Sequence, residues 1–308
     1  MEFIERRVVE EQLFGEVAFP KTLLPTAGSD GDLVKLVLTE GETLLTALGR
    51  HSALLFRGFQ VNSIDDFERI VEAFACDAHP AAQGVSARAK FSDRVYSSNF
   101  SAPEYLINFH HEMSLRTNMP SKIFFYCSEL SPEGGETLLV SSDVVLQRME
   151  QRMPKFVAKA AELYLLFSMK TARDEEADSS IVINKSWKSA LGTDDEAKAA
   201  KRSIRFLEEG RAEITYGPLN PIGVFGEKRA WLVPLLGFEE TMENVSNKFS
   251  DGSAVPEEVL GIYKEILEEN CVDIKWKKGD VLLFDNLIVQ HARRPGKPPR
   301  RILVSMCK

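Results

Sequence analysis

The chain has five histidines, and three of them have neighbours with which they could do chemistry. The first two lie in Asn108-Phe109-His110-His111-Glu112-Met113-Ser114. Along extended backbone successive side chains point to opposite faces, so His110 and Glu112 share a face and His111 takes the other. Two imidazoles and one carboxylate can hold Fe(II) on one face and leave three coordination positions open; His110 and Glu112 supply two of those ligands. A zinc-protease helix would need HExxH, but Met113, Ser114 and Leu115 follow Glu112. Standing alone, the triplet is better read as buried histidines satisfied by hydrogen bonds, since such triplets arise often by chance. The third histidine ends Phe284-Asp285-Asn286-Leu287-Ile288-Val289-Gln290-His291. Asp285-Asn286 reads as a tight turn between two strands, with His291 near the end of the second. Beyond a turn-rich Pro295-Gly296-Lys297-Pro298-Pro299, the run Arg300-Arg301-Ile302-Leu303-Val304 reads as a last strand. An arginine there offers a guanidinium fork to the far carboxylate of a dicarboxylic acid. Strand alternation turns one of Arg300 and Arg301 inward, while Arg293 and Arg294 read as basic surface.

The elements that must position these residues are mostly strands. Residues 122–130, 134–142, 212–217, 229–236, 279–286, 288–292 and 300–306 are short, rich in β-branched or aromatic residues, and bounded by Gly, Pro, Asn or Asp. Upstream, Leu33, Leu36, Val37, Leu44, Leu45 and Leu48 recur at helical spacing before a buried strand in ALLFRGF, residues 53–59. Ser63 and Asp66 form a capping box ahead of Phe67, Ile70, Val71 and Phe74 on one helical face. Further helices are expected over 144–167 and 256–270, a loop over 83–93, and a solvated insertion over 171–201. Many short strands with few helices imply an antiparallel β-sandwich or barrel dressed with helices. No repeat, low-complexity tract or linker divides the chain, so 1–308 reads as one domain.

His110-x-Glu112, then Gly134-Gly135-Glu136-Thr137, then Asp285-Asn286, His291 and Arg301-Ile302, taken in that order, resemble the taurine dioxygenase and clavaminate synthase-like family. LLFRGF, residues 54–59, resembles a strand near that family's N-terminus. The resemblance implies a mainly β fold with inserted helices, the double-stranded β-helix or jelly roll. Its lead-in would span about 1–95, and its core about 96–308 with an insertion at about 144–203. It also implies an enzyme: a 2-oxoglutarate-dependent dioxygenase using Fe(II), 2-oxoglutarate and O2. His110, Glu112 and His291 would be the iron ligands. Arg301, with Arg300 as its weaker neighbour, would take the far carboxylate of 2-oxoglutarate, and Thr137 would donate its hydroxyl to the same group. Glu112 stands where the family more often has Asp, as in the clavaminate synthase branch. Ser305 stands four residues past Arg301, where the taurine enzyme has an arginine for its sulfonate, which argues against a sulfonate substrate. Hydroxylation is the default outcome, with cyclisation or desaturation as the branch's variants. Ser98, Asn99, Phe109 and Phe238 are the candidates for lining the substrate pocket. Trp187, Trp231 and Trp276 read as core or interface.

The formal net charge of −8 is a poor fit to nucleic acid or anionic membrane, both of which are bound by clustered Lys and Arg. A small molecule is therefore the expected partner. No apolar stretch is long enough for a membrane span, and the opening MEFIERR has no apolar leader core, so a cytoplasmic protein is expected. The four cysteines are widely separated and read as free thiols. A jelly-roll binding protein without activity would lack a ligand or the arginine. A zinc hydrolase using the same His, Glu and His would leave Thr137 and Arg301 without a purpose.

Overall fold

The computed structural model describes residues 3–5, 11–79, 88–98, 101–115, 118–171, 188, 204–238 and 244–308. Asn99, Trp187 and nearly all of 171–201 lie outside the described residues. The architecture is mainly β, with strands numbered in chain order and five helices among the described residues. In spatial order, the larger sheet runs β1 (Phe3–Glu5), β4 (Lys21–Pro25), β5 (Ala53–Phe56), β17 (Val281–Asp285), β8 (Lys122–Glu129), β19 (Arg301–Cys307) and β6 (Tyr96–Ser97). A second sheet runs β16 (Val272–Ile274), β9 (Thr137–Ser141), β18 (Val289–Arg293) and β7 (Ile107–His110). All these neighbours are antiparallel except β4 and β5. A third sheet orders β11 (Ile204–Phe206), β12 (Ala212–Leu219), β10 (Leu165–Lys170) and β15 (Val245–Phe249). Two hairpins, β2–β3 (Gln12–Phe14, Val17–Phe19) and β13–β14 (Ile222–Phe225, Lys228–Trp231), complete the strands.

The first two sheets face each other. Leu55, Phe125, Leu282, Phe284 and Val304 from the larger pack against Leu139, Val272, Ile274 and Val289 from the smaller. The far side of the larger sheet is covered by α1 (Leu33–His51) and α2 (Ile64–Ala73), which set Leu36, Leu44, Phe67 and Ile70 on Leu54, Phe56, Phe124 and Leu283. The far side of the smaller sheet is covered by α3 (Ser142–Arg152), α4 (Pro154–Leu163) and α5 (Glu257–Asn270), whose Val145, Met149, Phe156 and Ile266 meet Leu138, Val140 and Ala292. The central strands β5, β8 and β17 are thus apolar on both faces, which is why their sequences are continuous apolar runs rather than alternating ones. At α2 the capping box forms as expected: Ser63 Oγ accepts from Asp66 N at 3.0 Å, and Asp66 Oδ2 accepts from Ser63 N at 3.1 Å.

LLFRGF carries a charge into this core. Arg57 donates from Nη2 and Nε to Asp280 Oδ2 at 2.7 and 3.1 Å, and from Nη2 to Lys275 O at 2.7 Å. The pair ties the end of β5 to the turn before β17.

Three expectations are corrected. The helix over 144–167 is two helices broken at Pro154, and its end, Leu165 to Phe167, is strand β10. Proline clashes with a preceding helical turn, and Tyr164 at φ +62° leaves the helix. The strand over 229–236 stops at Trp231. Cys76 and Cys307, 231 residues apart, form a disulfide with Cα atoms 5.8 Å apart, while Cys127 and Cys271 are free and buried. No helix among the described residues is long and apolar enough to cross a membrane.

Candidate metal centre and its surroundings

His110 ends β7 and His291 lies mid-β18, and the ladder pairs the two directly. Directly paired residues share a face, so both imidazoles enter the space between the two large sheets, with ring centroids 4.3 Å apart. Glu112 arrives differently from the extended-segment reading. β7 stops at His110, and Glu112 sits in a turn with Met113 at φ +62°. Asn286 holds that turn: its Oδ1 accepts from Glu112 N at 2.8 Å, and its Nδ2 donates to Glu112 O at 3.1 Å and Pro120 O at 2.8 Å. The Asp285-Asn286 turn therefore does more than reverse the chain; it seats the carboxylate. One donor atom from each of His110, Glu112 and His291 lies within 4.8 Å of the others.

The state of the donors suits a cation. His110 Nδ1 lies 2.8 Å from Asn108 O, and a carbonyl can only accept, so Nδ1 carries the proton and Nε2 keeps its lone pair. His291 sits between Phe125 and Phe284, each ring centroid 5.4 Å away, and its Nδ1 is buried with no hydrogen-bond partner. Burial, opposed by the nearby Glu112 charge, moves His110 below the usual histidine range. Burial also lowers His291, reinforced by His110 and Arg88, so both rings are neutral. Neutral imidazoles beside a carboxylate are ligand-competent, and this donor set matches a metal on three counts: identity, convergence and an orphaned ring nitrogen.

His111 faces away, as alternation requires. Gln290 Nε2 donates to Ser142 Oγ at 2.8 Å, Ser142 Oγ lies 2.9 Å from His111 Nε2, and His111 Nδ1 donates to Asn286 O. Burial pushes this ring down to about 4. It is a structural histidine that braces the turn bearing Asn286. His51 and His79 are likewise bonded to backbone, at Ala18 O and Asn118 O.

The two arginines at the start of the last strand are placed unlike each other. Arg301 is exposed and starts β19, whereas Arg300 turns inward. Arg300 donates from Nε to Gly135 O at 2.7 Å and from Nη2 to Thr137 Oγ1 at 3.2 Å. Alternation along β19 accounts for it: Ile302, Val304 and Met306 face the space between the two sheets while Leu303 and Cys307 face α1 and α2, so Arg300 falls on the inner face and Arg301 on the outer one. Among the described residues no carboxylate forms an ion pair with Arg300, though the Glu136 charge acts on it from farther off; burial and the Arg293 charge push it down to about 9, and it stays cationic at neutral pH. The glycines allow this approach. A Cβ on Gly135, at φ +73°, would lie 2.9 Å from Ser131 Cβ and 3.0 Å from Arg300 Cδ. Gly134, at φ +67°, would meet Pro295 O at 2.3 Å.

The remaining candidates divide. Phe238 stands edge-on to His110, with centroids 5.8 Å apart, and joins Phe167 beneath the third sheet. Ser98 contributes backbone: its N donates to Ile302 O at 3.1 Å, and its carbonyl accepts from Arg88. Phe109 points away from the three candidate ligands. One residue before His110, it points to the opposite face and packs with Leu138, Val140 and Ala292 under the helices. Trp231 is core, as expected. Arg293 is not surface: it is buried and donates to Ser101 O, Ala102 O and Tyr105 O at 3.0, 2.6 and 2.8 Å, pinning the loop before β7. Arg294 pairs at the rim with Glu268 and Asp273. Two functional contacts had no sequence signal. Arg88 Nη2 donates to Glu112 Oε2 at 2.9 Å from a segment that reads only as loop, and Trp276 Nε1 donates to Thr137 Oγ1 at 3.0 Å.

A mainly β chain presenting two imidazoles and a carboxylate in this way falls in the class of mononuclear non-haem iron oxygenases. The model of the taurine catabolism dioxygenase TauD/TfdA family matches residues 21–307. A clavaminate synthase-like protein of Arabidopsis thaliana is 36% identical, over 99% of this chain and 98% of its own. The dapdiamide synthesis protein DdaC of Enterobacter agglomerans is 25% identical, over 84% of this chain and 83% of its own. Among solved structures, a taurine dioxygenase from Burkholderia xenovorans superposes with TM-score 0.56 at 16% identity, covering 100% of this chain and 90% of that one. AAD-2 in complex with Mn(II) and N-oxalylglycine superposes with TM-score 0.60 at 15% identity, covering 100% and 97%; likenesses this distant bear on the fold. The chain belongs to the TauD/TfdA family. It is therefore an oxidoreductase of the dioxygenase class that works with Fe(II), 2-oxoglutarate and O2.

Proposed function

We propose that this chain, as one oxygenase domain on a double-stranded β-helix, oxidises a small molecule, with hydroxylation as the default outcome. The observation that carries this reading is the convergence of His110, Glu112 and His291 within 4.8 Å, with both rings neutral and His291 Nδ1 unpartnered. These three residues would hold the iron. Arg300, rather than Arg301, would bind the far carboxylate of 2-oxoglutarate: its half-buried guanidinium has no ion-pair partner among the described residues and donates to Thr137. A fork of fixed donors beside a hydroxyl suits a carboxylate and orients the keto acid before chemistry begins. When bound, iron, 2-oxoglutarate and O2 supply the oxidation, and the keto acid leaves as succinate and CO2.

The protein's share is positioning and shielding. Asn286 fixes the backbone of Glu112, and Arg88 engages one of its two carboxylate oxygens, Oε2. Phe125 and Phe284 wall His291 from water. Phe238 beside His110 and Arg88 beside Glu112 would offer a substrate one apolar wall and one guanidinium. The acidic chain, at −8, favours a small molecule over nucleic acid.

The test needs no known substrate. Fe(II) and 2-oxoglutarate are added to the protein without oxygen, and the visible charge-transfer band of the iron-bound keto acid is sought. The expected result is a band that is lost in His291→Ala. Iron binding without a band would overturn the cosubstrate assignment.

A further inference from the structure

Thr137 Oγ1 accepts two hydrogen bonds, from Trp276 Nε1 at 3.0 Å and from Arg300 Nη2 at 3.2 Å. A hydroxyl oxygen has two acceptor lone pairs, so both are filled. Its one remaining function is its own proton, and among the described residues nothing accepts it. Arg300 spends Nε on Gly135 O and one Nη2 hydrogen on Thr137, and no described residue accepts from its Nη1. Everything this pair still offers is therefore a donor.

We propose that Trp276 is a positioning residue for the cosubstrate: its indole N–H fixes the Thr137 hydroxyl as a donor to the far carboxylate of a five-carbon 2-oxo diacid. This rests on the 2-oxoglutarate reading above. The frame that makes it work is the β16–β9 ladder, which pairs Ile274 with Thr137 and brings Trp276 alongside two residues later. Trp276 is 8% exposed and packed against the inner core, so the indole has little freedom to turn away. Without its N–H, one Thr137 lone pair is released. The hydroxyl can then rotate its proton off the carboxylate and present oxygen to oxygen. An indole is an apt choice, because it donates and cannot accept, so it never competes for the proton.

The experiment compares 2-oxoglutarate with 2-oxovalerate, which has the same chain but a methyl in place of the far carboxylate. Both are titrated into Fe(II)-loaded protein without oxygen, with the charge-transfer band as readout. Trp276→Phe keeps a ring and removes the N–H. It is expected to weaken 2-oxoglutarate binding about ten-fold, the scale of one hydrogen bond to a charged group, and to change 2-oxovalerate binding by less than about two-fold. In a Thr137→Val background, Trp276→Phe is expected to add nothing further. Equal weakening of both keto acids would mark a packing defect and overturn the proposal, as would full additivity with Thr137→Val. If wild-type protein itself bound the two keto acids alike, the diacid reading would fail, and this proposal with it.

Discussion

Replacing Arg300 with alanine should separate cosubstrate binding from folding. In the free protein this guanidinium is half-buried with no ion pair among the described residues, and burial with the Arg293 charge beside it lowers its pKa from 12.5 to about 9. At about 1.4 kcal/mol per unit, the charge is held at an electrostatic cost of up to about 5 kcal/mol, which an incoming carboxylate relieves. Truncating one partner of a buried charge pair typically costs 2–5 kcal/mol of binding. Arg300→Ala is therefore expected to raise the 2-oxoglutarate dissociation constant by about 150-fold, a change of ~3 kcal/mol. Arg300→Lys keeps the charge but loses the planar fork, and should fall between. Arg301→Ala removes an exposed side chain and should change affinity by less than about two-fold. The fold should tolerate Arg300→Ala, because the lost bonds to Gly135 O and Thr137 Oγ1 are offset by removing a strained charge. The assay is calorimetric titration of 2-oxoglutarate into Fe(II)-loaded protein without oxygen, with thermal unfolding in parallel. A larger loss in Arg301→Ala than in Arg300→Ala would refute the assignment and the alternation argument behind it.

Two further outcomes follow from the same contacts. Asn286→Ala frees both backbone groups of Glu112, so Fe(II) affinity, measured by competition with a chromogenic chelator, should fall about 10- to 100-fold; an unchanged affinity would show that Glu112 is seated by other means. Arg57→Met leaves Asp280 charged and buried, and should lower unfolding free energy by about 3–5 kcal/mol in denaturant, while Arg57→Met with Asp280→Leu should recover much of it. No recovery in the double variant would mean the ion pair is a net stabiliser.

Chain-local facts were readable. The capping box at Ser63 and the short apolar strands declare themselves through neighbours in sequence, and so does the turn at Asp285-Asn286. The His110, Glu112 and His291 set was legible only together with the other motifs in their order, because the HxE triplet by itself is better read as buried histidines. Parity also placed His111 on the far face, and the same rule applied one residue earlier would have placed Phe109 there too. The break at Tyr164 was harder: Leu165, Leu166 and Phe167 suit a buried helix as well as a strand, and only pairing with β12 and β15 decides.

The sequence by itself determined which groups could bind a metal and that strands would carry them. Tertiary structure decided which arginine faces Thr137, because alternation says only that Arg300 shares a face with Ile302 and Val304, and packing of the two sheets decides which face of β19 turns inward. It also decided that Glu112 is seated by Asn286, 174 residues away, and that Trp276 reaches Thr137 across 139. The Cys76–Cys307 bond spans 231. Local propensity acts over a few residues, whereas contacts like these exist only once the two sheets have closed on each other.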